Sequence, residues 1–147
     1  MRAVVTRVDS ASVEIDGLIT AKIGDGFLVL LGIKRDDNEA DAKKLADKVC
    51  GLRVFEDENG KMNLNLEKAG GEILVVSQFT LYADCKSRRP GFTEAARPET
   101  AVPLYERFMA ECESAGFSLK HGEFGADMKV RSVNNGPVTI IMDTESL

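Results

Sequence analysis

Ser77, Gln78 and Thr80 follow an apolar run and are the first candidates for chemistry. The run, residues 73–76, is rich in β-branched side chains and predicts a strand covered on both faces. If the strand continues, Gln78 and Thr80 share one face of the sheet and Ser77 lies on the other. Buried hydroxyl and amide groups need hydrogen-bond partners. The stretch is therefore either a satisfied part of the core or a strand end that opens into a pocket.

A hydroxyl nucleophile in this stretch would need a general base beside it. The chain has one histidine, His121, and nothing in the sequence places it near Ser77, so we interpret it as a surface residue. The cysteines are odd in number and far apart, which indicates neither a disulfide framework nor a zinc site. They are Cys50, Cys85 and Cys112. We expect no metal site and no cofactor.

A second candidate segment is residues 134–139, which read Asn-Asn-Gly-Pro-Val-Thr. Its plainest interpretation is a turn between two strands. The Gly136–Pro137 bond has only a small preference for the trans form, because proline makes the amide tertiary. A cis bond here would direct two successive carbonyl groups the same way and form a rigid pair of acceptors.

The remaining pattern predicts one α/β domain, residues 1–147, that is long enough to bury a core. The segments 1–8, 12–23 and 27–33 predict a strand, a hairpin about Asp16-Gly17 and a buried strand. Apolar stripes predict two main helices, one over 42–49 and one over 100–115, with Pro103 in the first turn of the second. Further short strands are expected at 52–55, 62–66, 117–124, 128–133 and 138–142. Together these elements predict a layered β/β/α sandwich with many strands.

Charge and hydropathy limit the partners. The net charge of −5 argues against broad, nonspecific binding of nucleic acid, although Lys86, Arg88 and Arg89 form a local basic loop. No apolar run approaches the roughly 20 residues of a membrane span, so no membrane partner is expected. The first residues lack the pattern of a signal peptide, which predicts a cytoplasmic location.

Taken together, the two candidate segments resemble the two signature motifs of the D-aminoacyl-tRNA deacylases. The segments are Ser77-Gln78-Phe79-Thr80-Leu81 and Asn134-Asn135-Gly136-Pro137-Val138-Thr139. The resemblance extends over most of the chain, and includes residues 7–8, 11–13, 60–64 and 124–128. Each motif is short, but both in this order and at this spacing are specific.

The resemblance implies an esterase that cleaves a D-amino acid from the terminal adenosine of tRNA, usually accepts glycine and rejects L-amino acids. It implies a homodimer of β/β/α fold with the site at the subunit interface. Ser77, Gln78, Phe79 and Thr80 would come from one subunit, and Gly136 with Pro137 from the other. Asn134 belongs to the same substrate-binding motif. The aminoacylated acceptor end of tRNA is the implied partner.

The resemblance supports the following residue roles less directly. Phe124 and Met128 are expected to line the adenosine pocket, although they would serve equally as core. Arg7 either braces the Gly136–Pro137 segment or is an exposed arginine at a strand end. We favour attack by water, assisted by the ribose 2′-hydroxyl, with Thr80 positioning the ester; a covalent Thr80 intermediate is the alternative.

Two other classes of function remain open at this stage. One is a non-catalytic protein that binds RNA ends through the basic loop. The other is a conventional serine esterase built on Ser77 and His121.

Overall fold

A computed structural model describes all residues, 1–147. It contains eight strands, three α-helices and one 3₁₀ helix. The strands are β1 Arg2–Ile15, β2 Leu18–Ile23, β3 Gly26–Gly32, β4 Phe55–Glu56, β5 Met62–Leu64, β6 Glu72–Ser77, β7 Leu119–His121 and β8 Lys129–Asp143. The helices are α1 Glu39–Cys50, α2 Leu66–Ala69 and α3 Pro98–Ser114, and the 3₁₀ helix spans Phe79–Tyr82. No helix has the length and apolar character that crossing a membrane requires.

Strand β1 organises the main sheet because it pairs along both edges. β8 runs antiparallel to it over nearly its whole length, from Arg2 opposite Asp143 to Glu14 opposite Lys129. On the other edge, β3 pairs with the first half of β1 and β2 with the second half. β6 then pairs with β3 in parallel, and β7 pairs with β6 in parallel. The result is a mixed sheet of six strands.

Two apolar clusters lie on opposite faces of this sheet. The larger one packs β1, β3 and β6 against α1 and α3, around fully buried Phe27, Leu45 and Phe108. The smaller one fills the concave side where β2 and the second half of β1 curl over β3 and β6. The predicted α/β class, the sheet-on-sheet-on-helix layering and the two main helices are confirmed.

Several predicted boundaries were wrong. The segments 128–133 and 138–142 are not two strands joined by a turn, because β8 continues through Asn134–Thr139 with two irregularities in its pairing to β1. The strand predicted over 62–66 ends at Leu64, and Leu66 begins α2 after the Asn65 cap. By contrast, Asp16 and Gly17 have φ values of 50° and 79°, as the two-residue hairpin turn requires.

Helix caps explain where the main helices begin. Asn38 caps α1 in a capping box with Asp41, which satisfies backbone donors at both residues. α3 begins at Pro98, so Pro103 lies in the helix interior and not in the first turn as predicted. The sequence pattern missed this because Pro98 itself is the proline suited to the first helical position.

The thiols Cys50 and Cys112 are both free and lie buried in the larger core. The hydrogen bond to Cys50, together with burial, raises the pKa of the Cys112 thiol. Cys85 is exposed.

Replacing Pro103 should stabilise the fold. Pro103 is exposed, so Pro103→Ala removes no buried contact and supplies the N–H that the carbonyl of Glu99 lacks. We expect the free energy of unfolding in urea to rise by about 1–3 kcal/mol, because an interior proline costs about 3 kcal/mol relative to alanine. Pro98→Ala is the matched control and should give no gain, since that position needs no N–H. A lower urea midpoint for Pro103→Ala would contradict this account.

Candidate active site

Strand β6, which carries the first motif at its end, ends earlier than the sequence pattern predicted. Its apolar residues are buried between β3 and β7, as expected. The ladder to β3 finishes where the Gln78 N–H donates to the Leu31 carbonyl at 2.8 Å. Gln78 then takes φ −144° and ψ 77°, and Phe79–Tyr82 coil into the 3₁₀ helix. The expected continuation of the strand, with Gln78 and Thr80 as neighbours on one face, is therefore wrong.

This early end places free backbone donors at the surface. The first residues of a helix have no acceptor for their N–H groups within the helix. Phe79 and Thr80 occupy these positions, and both are exposed. Such amides are suited to stabilise a developing oxyanion.

The hydroxyl of Thr80 has a positioning partner and no base. The Gln78 Nε2 donates to Thr80 Oγ1 at 2.5 Å, and an amide is neither an acid nor a base at neutral pH. His121 is exposed, as predicted, and its Nδ1 lies 2.6 Å from the Gly122 carbonyl oxygen. No hydrogen bond joins His121 to Ser77. The geometry for a serine esterase built on these two residues is therefore lacking.

A cavity of about 310 Å³ opens beside the 3₁₀ helix. Its lining brings together the first motif and the 124–128 segment: Val76, Ser77, Gln78, Phe79, Phe124, Gly125, Ala126, Asp127, Met128 and Val130. Phe124 is half-buried and meets the Tyr105 ring edge-on at 6.1 Å. Burial raises the pKa of Tyr105, whose hydroxyl donates to the Val75 carbonyl. Tyr105 thus supports the Phe124 ring, which lines the cavity together with Met128.

The basic loop borders this cavity through an aromatic contact that sequence reasoning did not anticipate. Phe79 is 54% exposed and meets Phe92 edge-on, with ring centroids 5.1 Å apart. Phe92 follows the loop that carries Lys86, Arg88 and Arg89, and the loop closes where Asp84 and Gly91 exchange backbone hydrogen bonds. No local pattern identifies Phe92, because the contact depends on how the loop closes.

The second motif is fixed by a buried arginine. Arg7 is 6% exposed, so the interpretation as an exposed strand-end residue was wrong. Its Nη1 donates to the Val54 carbonyl at 2.5 Å, its Nε to the Asn135 carbonyl at 3.3 Å and its Nη2 to Asn135 Oδ1 at 3.3 Å. The adjoining Gly136–Pro137 bond is cis, as expected. Asn135, which the sequence analysis did not single out, is the residue that Arg7 holds.

Within one chain the two motifs lie apart. Gly136 and Pro137 are exposed, and neither lines the cavity beside the 3₁₀ helix. Gly136 lies six residues beyond Val130 along β8, a length of strand of roughly 20 Å at about 3.3 Å per residue. Asn134 is exposed on the same strand and accepts a hydrogen bond from Ser132 at 2.7 Å. The structure thus brings Ser77–Phe79, Phe124 and Met128 together at the cavity, with Thr80 hydrogen-bonded to Gln78, and Gly136 and Pro137 do not line it.

Comparison with known proteins shows the family to which the chain belongs. Residues 4–143 match the family described as D-Tyr-tRNA(Tyr) deacylase. A D-aminoacyl-tRNA deacylase of Thermosipho africanus is 52% identical, over 100% of this chain and 99% of its own length. One of Clostridium beijerinckii is 56% identical, over 99% and 98%.

Two solved structures share the fold. One, described as c-Myc DNA Unwinding Element Binding Protein, has a TM-score of 0.92 at 40% identity and covers 97% of this chain and 98% of its own. Another, a probable eukaryotic D-amino acid tRNA deacylase, has a TM-score of 0.81 at 18% identity, with coverages of 96% and 97%.

These matches define the class of protein as a hydrolase that acts on an aminoacyl ester of tRNA. The chain belongs to the D-aminoacyl-tRNA deacylase family, and its activity is the hydrolysis of D-aminoacyl-tRNA.

Thr80→Ala should slow deacylation without abolishing it, because the sequence predicts that the Thr80 hydroxyl only positions the ester and its hydrogen-bond partner, Gln78, is no base. Replacing the 2′-hydroxyl of the terminal adenosine with hydrogen should reduce the rate much more, since that hydroxyl is the group left to assist water. Single-turnover assays on normal and 2′-deoxy D-aminoacyl-tRNA measure both effects. An acyl adduct on Thr80 in mass spectrometry would contradict the water mechanism.

Proposed function

We propose that the protein is a chiral proofreading enzyme whose active site is completed by a second copy of the chain. The observation that carries this proposal is the separation of the two motifs, both exposed, within one subunit. A second copy can supply Gly136 and Pro137 to the cavity beside the 3₁₀ helix. The outer edge of β8, which pairs only with β1, supports a homodimer. So do its apolar side chains Val133 and Ile141, which are 56% and 70% exposed.

In this site the backbone selects the chirality of the substrate. The carbonyl groups of Gly136 and Pro137 from the second subunit hold the amino group of the substrate and lie against its α-carbon. An L side chain would then collide with backbone, whereas a D side chain or the hydrogen of glycine would not. Rejection by backbone does not depend on which side chain the substrate carries, so one site serves many D-amino acids. Glycyl-tRNA formed on tRNA-Ala is a substrate by the same reasoning.

Hydrolysis needs little from the protein beyond positioning and charge stabilisation, because an aminoacyl ester is already activated. The Phe79 N–H stabilises the oxyanion, and one such donor is typically worth about 10²–10³ in rate. Gln78 and Thr80 hold the ester, and water attacks with help from the 2′-hydroxyl of the ribose.

The tRNA end fits the surroundings of the cavity. Phe124 and Met128 offer apolar surface for the terminal adenine, and the exposed Lys86, Arg88 and Arg89 are suited to contact acceptor-stem phosphates. With a net charge of −5 we expect contact with this end alone, and the reaction belongs in the cytoplasm with its substrate. One structural neighbour is named for DNA binding. We do not expect this chain to bind DNA, because its net charge is −5. The non-catalytic RNA-end binder left open by the sequence is disfavoured by the membership of the deacylase family.

The direct test compares D-tyrosyl-, L-tyrosyl- and glycyl-tRNA in a deacylation assay. We expect rapid release of D-tyrosine and glycine, and no release of L-tyrosine above the spontaneous rate. Binding of tRNA without release would favour the RNA-end binder. Equal rates for D and L esters would contradict proofreading.

Gly136→Ala should weaken activity on D-substrates and create none on L-substrates. A Cβ at Gly136 would lie 2.9 Å from both Arg7 Nη2 and Val138 Cγ2, so the segment must shift. A shift of about 1 Å in a positioning group can cost about 10²-fold in rate.

Gly17→Ala is the matched control for this variant. Gly17 also has a positive φ, 79° against 122° at Gly136, but nothing lies within 4 Å of its added Cβ. The control should lose stability and keep its activity. Normal D-activity in Gly136→Ala would show that this segment does not contact the substrate.

A further inference from the structure

Three residues on neighbouring strands form a row beneath the 3₁₀ helix. Arg2 of β1 lies directly opposite Gly32 of β3 on one side and Asp143 of β8 on the other. The helix sits on Gly32, where a Cβ would come within 3.0 Å of Leu81 Cβ and 3.1 Å of the Gln78 carbonyl oxygen. Any larger residue at position 32 would therefore push the helix away from the sheet.

Arg2 contacts the C-terminal end of this helix. Its Nη1 donates to the Leu81 carbonyl at 2.8 Å, and its guanidinium carbon lies 4.7 Å from the centre of the Tyr82 ring. Its Nε donates to Asp143 Oδ2 at 2.9 Å, which fixes the plane of the guanidinium. The Tyr82 hydroxyl is buried without a hydrogen-bond partner, so the ring is held by packing and by this cation.

We infer that Arg2 is a positioning residue for deacylation, which acts by holding the 3₁₀ helix so that the Phe79 and Thr80 amides face the ester. This inference rests on the proposed role of those amides. A single turn of 3₁₀ helix has few hydrogen bonds of its own and poor geometry, so its orientation must be set from outside. Arg2 and the space above Gly32 provide that constraint.

The chemistry of the contact requires arginine. One planar group donates to a carboxylate and a carbonyl while it stacks on an aromatic ring, and a lysine ammonium cannot do all three. Although partial burial opposes ionisation of Asp143, the N–H of Glu145 and the Arg2 guanidinium hold the pKa of this carboxyl below its usual value. The partner that orients Arg2 is thus charged at neutral pH.

The test combines kinetics with amide hydrogen exchange on the full-length protein. Arg2→Met should lower kcat on D-aminoacyl-tRNA by about 10- to 100-fold, with KM changed by less than about threefold. Exchange at the hydrogen-bonded amides of Leu81 and Ala83 should become faster. Arg2→Lys should recover part of kcat. Gly32→Ala should reproduce the kcat loss without removing a charge, and in the double variant the two losses should be less than multiplicative because both act on one helix.

Arg107→Met is the matched control. The Arg107 side chain is 40% exposed, close to 35% for Arg2, and it pairs with Glu39 and Glu111 away from the 3₁₀ helix. It should lose a similar amount of thermal stability and keep kcat. Wild-type kcat in Arg2→Met, an equal kcat loss in Arg107→Met, or unchanged exchange at the Leu81 and Ala83 amides would each overturn the inference. If the wild-type protein itself releases no D-amino acid, the proposed function fails, and the exchange result still decides whether Arg2 holds the helix.

Discussion

The hydrogen bond from the Gln78 N–H to the Leu31 carbonyl, 2.8 Å long, is the constraint on which the site depends. It is the last bond of the ladder between β3 and β6, so it fixes the point at which the strand becomes a 3₁₀ helix. If strand β6 continued by one residue, the amide of Phe79 would point into the sheet, or the side chains that follow would change to the other face. The oxyanion donor proposed here exists because the ladder stops at this residue.

A second constraint fixes the other motif. Arg7 is a buried cation with no carboxylate in direct contact, and its hydrogen bonds go to the Val54 carbonyl and to both oxygens of Asn135. A buried charge is tolerated only when its donors are satisfied, so these acceptors cannot move away without a large penalty. Asn135 in turn donates to Asp9 at 2.7 Å. These contacts hold the Gly136–Pro137 segment in place although it is exposed. The proposed selection of chirality by backbone requires such a fixed segment.

The layers, the two buried strands β3 and β6 and the two main helices could be predicted, because apolar periodicity and turn residues carry that information. The site was only partly predictable. The sequence pattern marks Ser77–Thr80 as unusual, but the change from strand to 3₁₀ helix depends on how far β3 extends beside it. In the same way, the continuous pairing of β8 with β1 outweighs the turn propensity of Asn134-Asn135-Gly136. The sequence could not decide whether Arg7 braces the Gly136–Pro137 segment or is exposed, because its burial depends on Val54 and Asn135, which are distant in sequence.

Mixed dimers test most directly whether one site draws on two subunits. Phe79→Pro removes the oxyanion donor at the first position of the 3₁₀ helix, where proline is tolerated, and Gly136→Ala displaces the second motif. Each variant alone should be nearly inactive on D-tyrosyl-tRNA. After unfolding and refolding of an equal mixture, half of the dimers pair the two variants and contain one intact site, so activity should return to about a quarter of wild type. Mixed dimers that form, as native mass spectrometry would show, but remain inactive would contradict the shared site.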